Sequence, residues 1–192
     1  MKKLWEKDLE SKKVFEGRLL NLRVDKVELP TGKTTTREIV EHPGAVAVAA
    51  ITRDKELVLV RQFRKPTNEI LLEIPAGVPK KDESGEDCAR RELEEETGFH
   101  AKNIRKVWEG YASPGYSDEL IQFYLAEEMV HLKQKTDEDE FIEVDLVDID
   151  ACVDMLTNGK VRDNKTMIGI MIADMVINSR NASFSEKKKG VS

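Results

Sequence analysis

The chain has 192 residues, 40% hydrophobic and 35% charged, and its 31 Lys plus Arg against 37 Asp plus Glu leave a formal net charge of -6. That apolar share suffices for one packed domain with a small annex and excludes wholesale disorder. The acidic balance excludes a duplex nucleic-acid binder, which needs clustered Lys and Arg, and the longest apolar run, 45–51, falls far short of the roughly 20 residues that span a bilayer.

The N-terminal residues Met1, Lys2, Lys3, Leu4, Trp5, Glu6, Lys7 and Asp8 are interrupted by charge before an apolar core of a secretory signal can form, so a cytoplasmic location is expected. Apolar and polar residues then alternate, with Leu20, Leu22, Val24, Val27 and Leu29 before the turn residues Pro30, Thr31 and Gly32. This predicts antiparallel strands, including one over 34–41, and His42, Pro43 and Gly44 mark a module boundary. The expected organisation is an annex at 1–43, a main domain at 44–180 and a polar, frayed tail at 181–192.

Near-continuous apolar runs at 45–51, 57–60 and 70–74 predict strands covered on both faces. A helix is expected over 84–97, strands over 104–111, 120–126 and 141–147, and helices over about 148–158 and 163–180. Cys88 and Cys152 lie in no CxxC or Cys/His cluster, so both are expected to be reduced structural thiols.

The segment 77–99, GVPKKDESGEDCARRELEEETGF, carries the chemistry. Ser84 followed by Asp87 begins a helix in the manner of a capping box, and Gly98 is placed to end it. With Ala89 at 0° and about 100° per residue, Leu93 falls at about 40°, Glu96 at about 340° and Glu92 at about 300°. Glu92 and Glu96 therefore border the apolar stripe, whereas Glu94 points to solvent. A glutamate run is commonly a solvated helix face. Carboxylates one turn apart beside a buried stripe instead call for a compensating cation, and hard oxygen donors suit Mg2+ or Mn2+.

The same segment resembles the Nudix hydrolase signature, G-x5-E-x7-R-E-U-x-E-E-x-G-U, where U is bulky and apolar. Gly77, Glu83, Arg91, Glu92, Leu93, Glu95, Glu96, Gly98 and Phe99 match all nine specified positions, and chance would produce this on the order of 10⁻⁶ times per chain of this composition. The resemblance implies an α/β/α sandwich with a mixed sheet, carrying the small N-terminal antiparallel β annex. It also implies hydrolysis of a diphosphate linked to another moiety, with Glu92 and Glu96 as metal ligands, Glu95 assisting catalysis, and Glu83 and Arg91 holding loop and helix together.

Flanking segments resemble the ADP-ribose pyrophosphatases within that family. They are 36–44, RQFRKP at 61–66, EIPAG at 73–77 and SPGYSDE at 113–119. By this resemblance Arg37, Arg64, Glu119, Pro114 and Gly115 contact substrate, and the carbonyl of Ala76 joins the metal shell. Surface ion pairs for the arginines and an ordinary turn at Pro114 and Gly115 are the alternatives. In the acidic loop 137–140, which by composition alone is a solvated turn, the resemblance points to Glu138 as general base and Glu140 as a further metal ligand, in a register that loop length can shift.

The expected activity is Mg2+-dependent hydrolysis of ADP-ribose to AMP and ribose 5-phosphate. Another nucleoside diphosphate sugar or a dinucleotide is the alternative substrate, and a non-catalytic ligand sensor is a reading of a different class. The resemblance also implies a homodimer through the N-terminal strands, with Trp5, Phe15 and the strand around 20–29 as contacts, and no nucleic-acid or membrane partner.

Overall fold

The structure, a computed structural model, describes residues 4–132, 134 and 141–189, with side chains through Ser179. The chain divides into two compact units, one of residues 1–45 with 109–121 and the other of 46–108 with 122–192.

In the first unit, β1 (Lys7–Glu16), β2 (Asn21–Glu28) and β3 (Thr34–Glu41) form an antiparallel sheet in the order β1-β2-β3. The β2–β3 register runs unbroken from Asn21 opposite Glu41 to Glu28 opposite Thr34. It is set by a turn in which Gly32 takes a φ of 80° and Leu29 N donates to Lys33 O at 2.8 Å. Only a residue tolerant of positive φ closes such a turn without strain. β1 pairs with β2 through two register shifts, and every one of its residues is exposed. The 109–121 segment is sewn to the end of β3: Val40 N donates to Tyr116 O at 2.8 Å and Asp118 N to Val40 O at 3.2 Å.

The second unit begins with β4 (Ala45–Ala50), the strand on which its core is built. Strands β5 (Glu56–Arg64), β6 (Glu69–Glu73) and β10 (Ile142–Asp148) form a sheet in the order β10-β5-β6. A second sheet has the order β7-β4-β9-β8, from β7 (Ala76–Gly77), β9 (Leu120–His131) and β8 (Phe99–Tyr111). Three helices complete the unit: α1 (Gly85–Thr97), α2 (Ile149–Thr157) and α3 (Asn164–Lys189).

Residues 46 to 50 of β4 are all fully buried. Because side chains alternate across a strand, Val46, Val48 and Ala50 face one layer while Ala47 and Ala49 face the opposite one. The first set packs with Cys88, Ala89 and Leu93 of α1 and with Val58, Ala101, Ile104, Tyr124 and Ala126. Complete burial of Leu93 contributes roughly 1.5–3 kcal/mol of transfer free energy. Elsewhere in the unit, a Cβ on Gly169 of α3 would meet Ile74 Cδ1 at 2.8 Å, so glycine permits the close approach of that helix to the end of β6.

The fold is α/β, as expected, and the expected strands and helices appear with ends moved by a few residues. The exception is α3, whose backbone continues to Lys189 where a frayed tail was expected after 180. Residues 181–189 contain no Pro or Gly to stop a helix. Both cysteines are free and buried, and burial pushes the thiol of Cys88 up to about 12 and that of Cys152 up to about 11. Among the described residues, no helix is long and apolar enough to cross a membrane.

Candidate active site

Helix α1 is held at both ends by its own sequence. Ser84 Oγ accepts from Asp87 N at 3.1 Å and donates to Asp87 Oδ2 at 2.6 Å, while Gly98 takes a φ of 73° and donates its N–H to Glu94 O. Capping in this way fixes where each glutamate points. Glu96 is 4% exposed, within the buried stripe of Cys88, Ala89 and Leu93, as the helical angles require. Glu94, on the opposite side, is half-exposed and lies 3.2 Å from His100 Nδ1.

The loop before α1 meets these carboxylates. Ala76 N donates to Glu96 Oε2 at 3.2 Å. A Cβ on Gly77 would lie 2.0 Å from Glu92 Cδ and 2.1 Å from its Oε1, so the absence of a side chain at 77 creates the space that the Glu92 carboxylate fills. Ala76 and Gly77 form β7, which pairs antiparallel with Ala47 and Val46 of the buried strand β4. Both glutamates therefore sit against backbone that is itself tied to the core.

Arg91 organises the remaining acids. Its Nε and Nη2 bind the two oxygens of Glu83 at 2.8 and 2.9 Å, and its Nη1 binds Glu92 Oε1 at 2.7 Å and Glu95 Oε2 at 2.9 Å. One planar guanidinium thus holds three carboxylates and ties the loop to the helix. Glu95, expected to assist catalysis, is engaged by Arg91, with Lys80 Nζ 4.0 Å from its other oxygen.

The hydrogen bonds from Arg91 hold Glu83 down at about 2, well below its ordinary 4.5. A carboxylate with a depressed folded pKa contributes stability that is present above its unfolded value and lost as pH falls toward the folded one. Stability is therefore expected to drop between pH 4.5 and about 2, and Glu83→Gln to flatten that drop while lowering stability at pH 7 by about 1–3 kcal/mol. Urea titrations of both proteins at pH 3 and pH 7 check this; equal pH dependence would refute it.

Arg64, at the end of β5, donates from Nε and Nη2 to the two oxygens of Glu73 at 2.8 and 2.7 Å. These hydrogen bonds, with the charges of Glu73, Glu96 and Asp163, hold its guanidinium above the ordinary arginine value. Glu73 is 1% exposed. Burial pushes it up, but its bonds with Arg64 and Lys165 outweigh this and leave it below the ordinary carboxylate range.

The remaining expected contacts lie in the first unit. Arg37 Nε and Nη2 bind Glu6 at 3.0 and 2.5 Å. Glu119 Oε1 lies 3.9 Å from His42 Nδ1. Pro114 and Gly115 occupy a turn in which Ser113 O accepts from Tyr116 N and Ser117 N at 3.1 and 3.0 Å. Glu138 and Glu140 lie outside the described residues.

The sequence alone does not single out Glu6 or Lys165, marks position 163 only as the start of a helix, and shows Glu73 without a role. The buried charge of Glu73 had one local sign, an acid at the end of a strongly apolar strand. Glu6 and Lys165 had none, because their partners are 31 and 92 residues away.

Among the described residues, no three His, Cys, Asp or Glu side chains converge to hold a metal ion. Of the expected ligands, Ala76, Glu92 and Glu96 are brought together. Their oxygens are hard donors, and two of the groups are carboxylates on successive helical turns, one of them seated in the space that Gly77 leaves. This donor set fits Mg2+ or Mn2+.

Comparisons with known proteins place the chain among relatives. A family model described as the NUDIX domain matches residues 41–168, and one described as the nucleoside diphosphate sugar hydrolase N-terminal domain matches residues 6–40. The chain is 46% identical over 172 residues to the ADP-ribose pyrophosphatase of Bacillus subtilis, covering 88% of this chain and 93% of that protein. It is 41% identical to the methanol dehydrogenase activator of Bacillus methanolicus, covering 86% and 90%, and 36% identical to a GDP-mannose pyrophosphatase of Yersinia enterocolitica, covering 72% and 78%. A solved ADP compounds hydrolase shares the fold, with a TM-score of 0.81 at 21% identity over 92% of this chain and 97% of that one.

Proposed function

The chain belongs to the Nudix hydrolase family, and from that premise we propose that it hydrolyses the diphosphate of ADP-ribose, giving AMP and ribose 5-phosphate. The observation that carries the substrate is the 46% identity to the Bacillus subtilis ADP-ribose pyrophosphatase across nearly both chains. The reaction class is supported by Glu92 and Glu96, which sit one turn apart against the backbone of Ala76 and Gly77.

Glu92, Glu96 and the Ala76 carbonyl would hold the divalent cation, with Glu140 as a further ligand. Such an ion, when bound, supplies charge neutralisation for the diphosphate and acidifies water. Glu95 assists from its place on Arg91, and Arg64 offers a cation to the phosphates. Glu138 is assigned as general base: it takes a proton from water as the water oxygen bonds to phosphorus and the phosphoanhydride P–O bond breaks. Arg37, Glu119, Pro114 and Gly115 are assigned to the nucleoside and ribose side. Glu138→Gln is expected to lower kcat by at least about 100-fold with an unchanged melting temperature; near-normal turnover would remove the base from Glu138 and leave the family intact.

The test of the substrate is product analysis in Mg2+ after incubation with ADP-ribose, GDP-mannose, NADH and diadenosine polyphosphates. AMP from ADP-ribose alone supports the proposal; preferred cleavage of GDP-mannose, the substrate named for the 36% identical relative, overturns it. A second reading, activation of a methanol dehydrogenase, is favoured by the relative named as such an activator. It is separated by the rate of that enzyme with and without the chain.

A cytoplasmic homodimer accompanies the proposal. The fully exposed β1, with Phe15 on it and Trp5 just before it also exposed, leaves a sheet too small to bury a core of its own and supports pairing through the N-terminal strands. Light scattering at micromolar protein is expected to give twice the 21.8 kDa chain mass; the monomer mass would reject the pairing.

A further inference from the structure

Glu73 and Lys165 form a buried charge network that the reaction as described does not use. Lys165 Nζ donates to Glu73 Oε2, the oxygen that also accepts from Arg64 Nη2, and to Asp163 Oδ2 at 2.9 Å. Asp163 Oδ2 also accepts from Thr166 N at 3.0 Å and Thr166 Oγ1 at 2.5 Å. Thr166 Oγ1 in turn accepts from Ile74 N at 2.9 Å. The first turn of α3 therefore grips the end of β6 through both a side chain and the backbone.

A carboxylate as buried as Glu73 is destabilising unless its charge is matched and its lone pairs are used. Two cations on one acid exceed what neutralisation needs, and Asp163 restores the balance from the far side of Lys165. The arrangement is asymmetric in exposure: the Lys165 and Glu73 side chains are 14% and 2% exposed, whereas Arg64 is 39% exposed. Among the described residues, Nη1 of Arg64 makes no hydrogen bond with the protein, while Nε and Nη2 are both held. The guanidinium is thus pinned along one edge and open at the other, within the electrostatic field of Glu96. A free arginine side chain is rich in rotamers, and an arginine already fixed loses little of that entropy on meeting an anion.

We propose that Glu73, anchored by Lys165, is a positioning residue that holds the Arg64 guanidinium with one edge presented to a phosphate group of the ligand. Neither Glu73 nor Lys165 touches the ligand; both act through Arg64. The inference rests on the diphosphate reading above for the identity of the anion.

The experiment compares the full chain with Lys165→Met, Lys165→Arg, Arg64→Ala and the Lys165→Met, Arg64→Ala double variant. Calorimetric affinity for ADP and the kinetics on ADP-ribose are measured in Mg2+, with thermal melts alongside. Lys165→Met is expected to weaken ADP affinity and raise KM about tenfold, the worth of one charge-assisted hydrogen bond, with kcat within threefold. Lys165→Arg should retain most of the affinity. The double variant should bind no worse than Arg64→Ala within about twofold, because two residues in one pathway are not additive. Independent, multiplicative losses would overturn the proposal, as would a lowered melting temperature with unchanged ADP affinity, or no ADP binding by the wild type. A wild type that binds ADP but cleaves no ADP-ribose would refute the substrate reading alone, and the affinity ratios would still decide the role of Lys165.

Discussion

Glu96→Gln is expected to lower turnover by about 10³-fold, equivalent to about 4 kcal/mol of transition-state stabilisation, and to raise the Mg2+ concentration needed for half-maximal rate. The substitution removes charge and little else. Glutamine is nearly isosteric, and its carbonyl can still accept from Ala76 N, which now donates to Glu96 Oε2 at 3.2 Å. At 4% exposure, Glu96 cannot be replaced by a nearby surface acid swinging in. Glu94 is the internal control: it lies two residues away on the same helix, half-exposed and 3.2 Å from His100 Nδ1. Glu94→Gln should therefore leave kcat within twofold. Steady-state kinetics across a Mg2+ titration, with circular dichroism to establish folding, measure the contrast; similar losses in both variants would mean that the site depends on the bulk charge of the helix.

Gly77→Ala should disable the site almost as fully while sparing the fold. The added Cβ would lie 2.0 Å from Glu92 Cδ and 2.6 Å from its Cγ, far inside any tolerated contact. The neighbour that must give way is the far end of a flexible side chain, so the carboxylate moves and the backbone need not. Gly77 is not among the glycines with positive φ, which leaves alanine no backbone strain there. The expected result is a loss of at least about 100-fold in kcat, the scale on which a displaced catalytic group costs rate, with a melting temperature within a few degrees of wild type. Normal activity would show that Glu92 is not required where the structure puts it, and unfolding would show that the loop cannot yield.

The helix and its two inward carboxylates were legible because the information is local. Ser84, Gly98 and the 100° step between residues set the start, the stop and the buried face of α1, and each lies within a few positions of what it controls. The bond between Arg91 and Glu83 spans only eight residues and belongs to the same signature. The buried acid at 73 was not legible in the same way. Its partner Lys165 is 92 positions distant, and no periodicity relates a strand end to the first turn of a helix so far along the chain. The capture of Arg37 by Glu6 across 31 positions is hidden for the same reason, although an ion pair there was one of the two readings open. The continuation of α3 past 180 goes with the absence of a helix-breaking residue there, which the polarity of the segment masks.

The net charge of -6 is an average over unlike parts. Residues 77–99 carry 8 acids and 4 bases, residues 109–150 carry 13 acids and 2 bases, and the rest is net positive by 9. By itself the sequence determined where the excess acid lies and that part of it is a helix with two carboxylates turned inward, the arrangement from which a divalent cation is expected. Only the tertiary structure decided which charges are matched inside the protein. Arg91 is shared among Glu83, Glu92 and Glu95, and Arg64 is pinned by a buried Glu73 that Lys165 supports from α3. The physical reason is that pairing depends on distance in space and on burial, neither of which is set by distance along the chain.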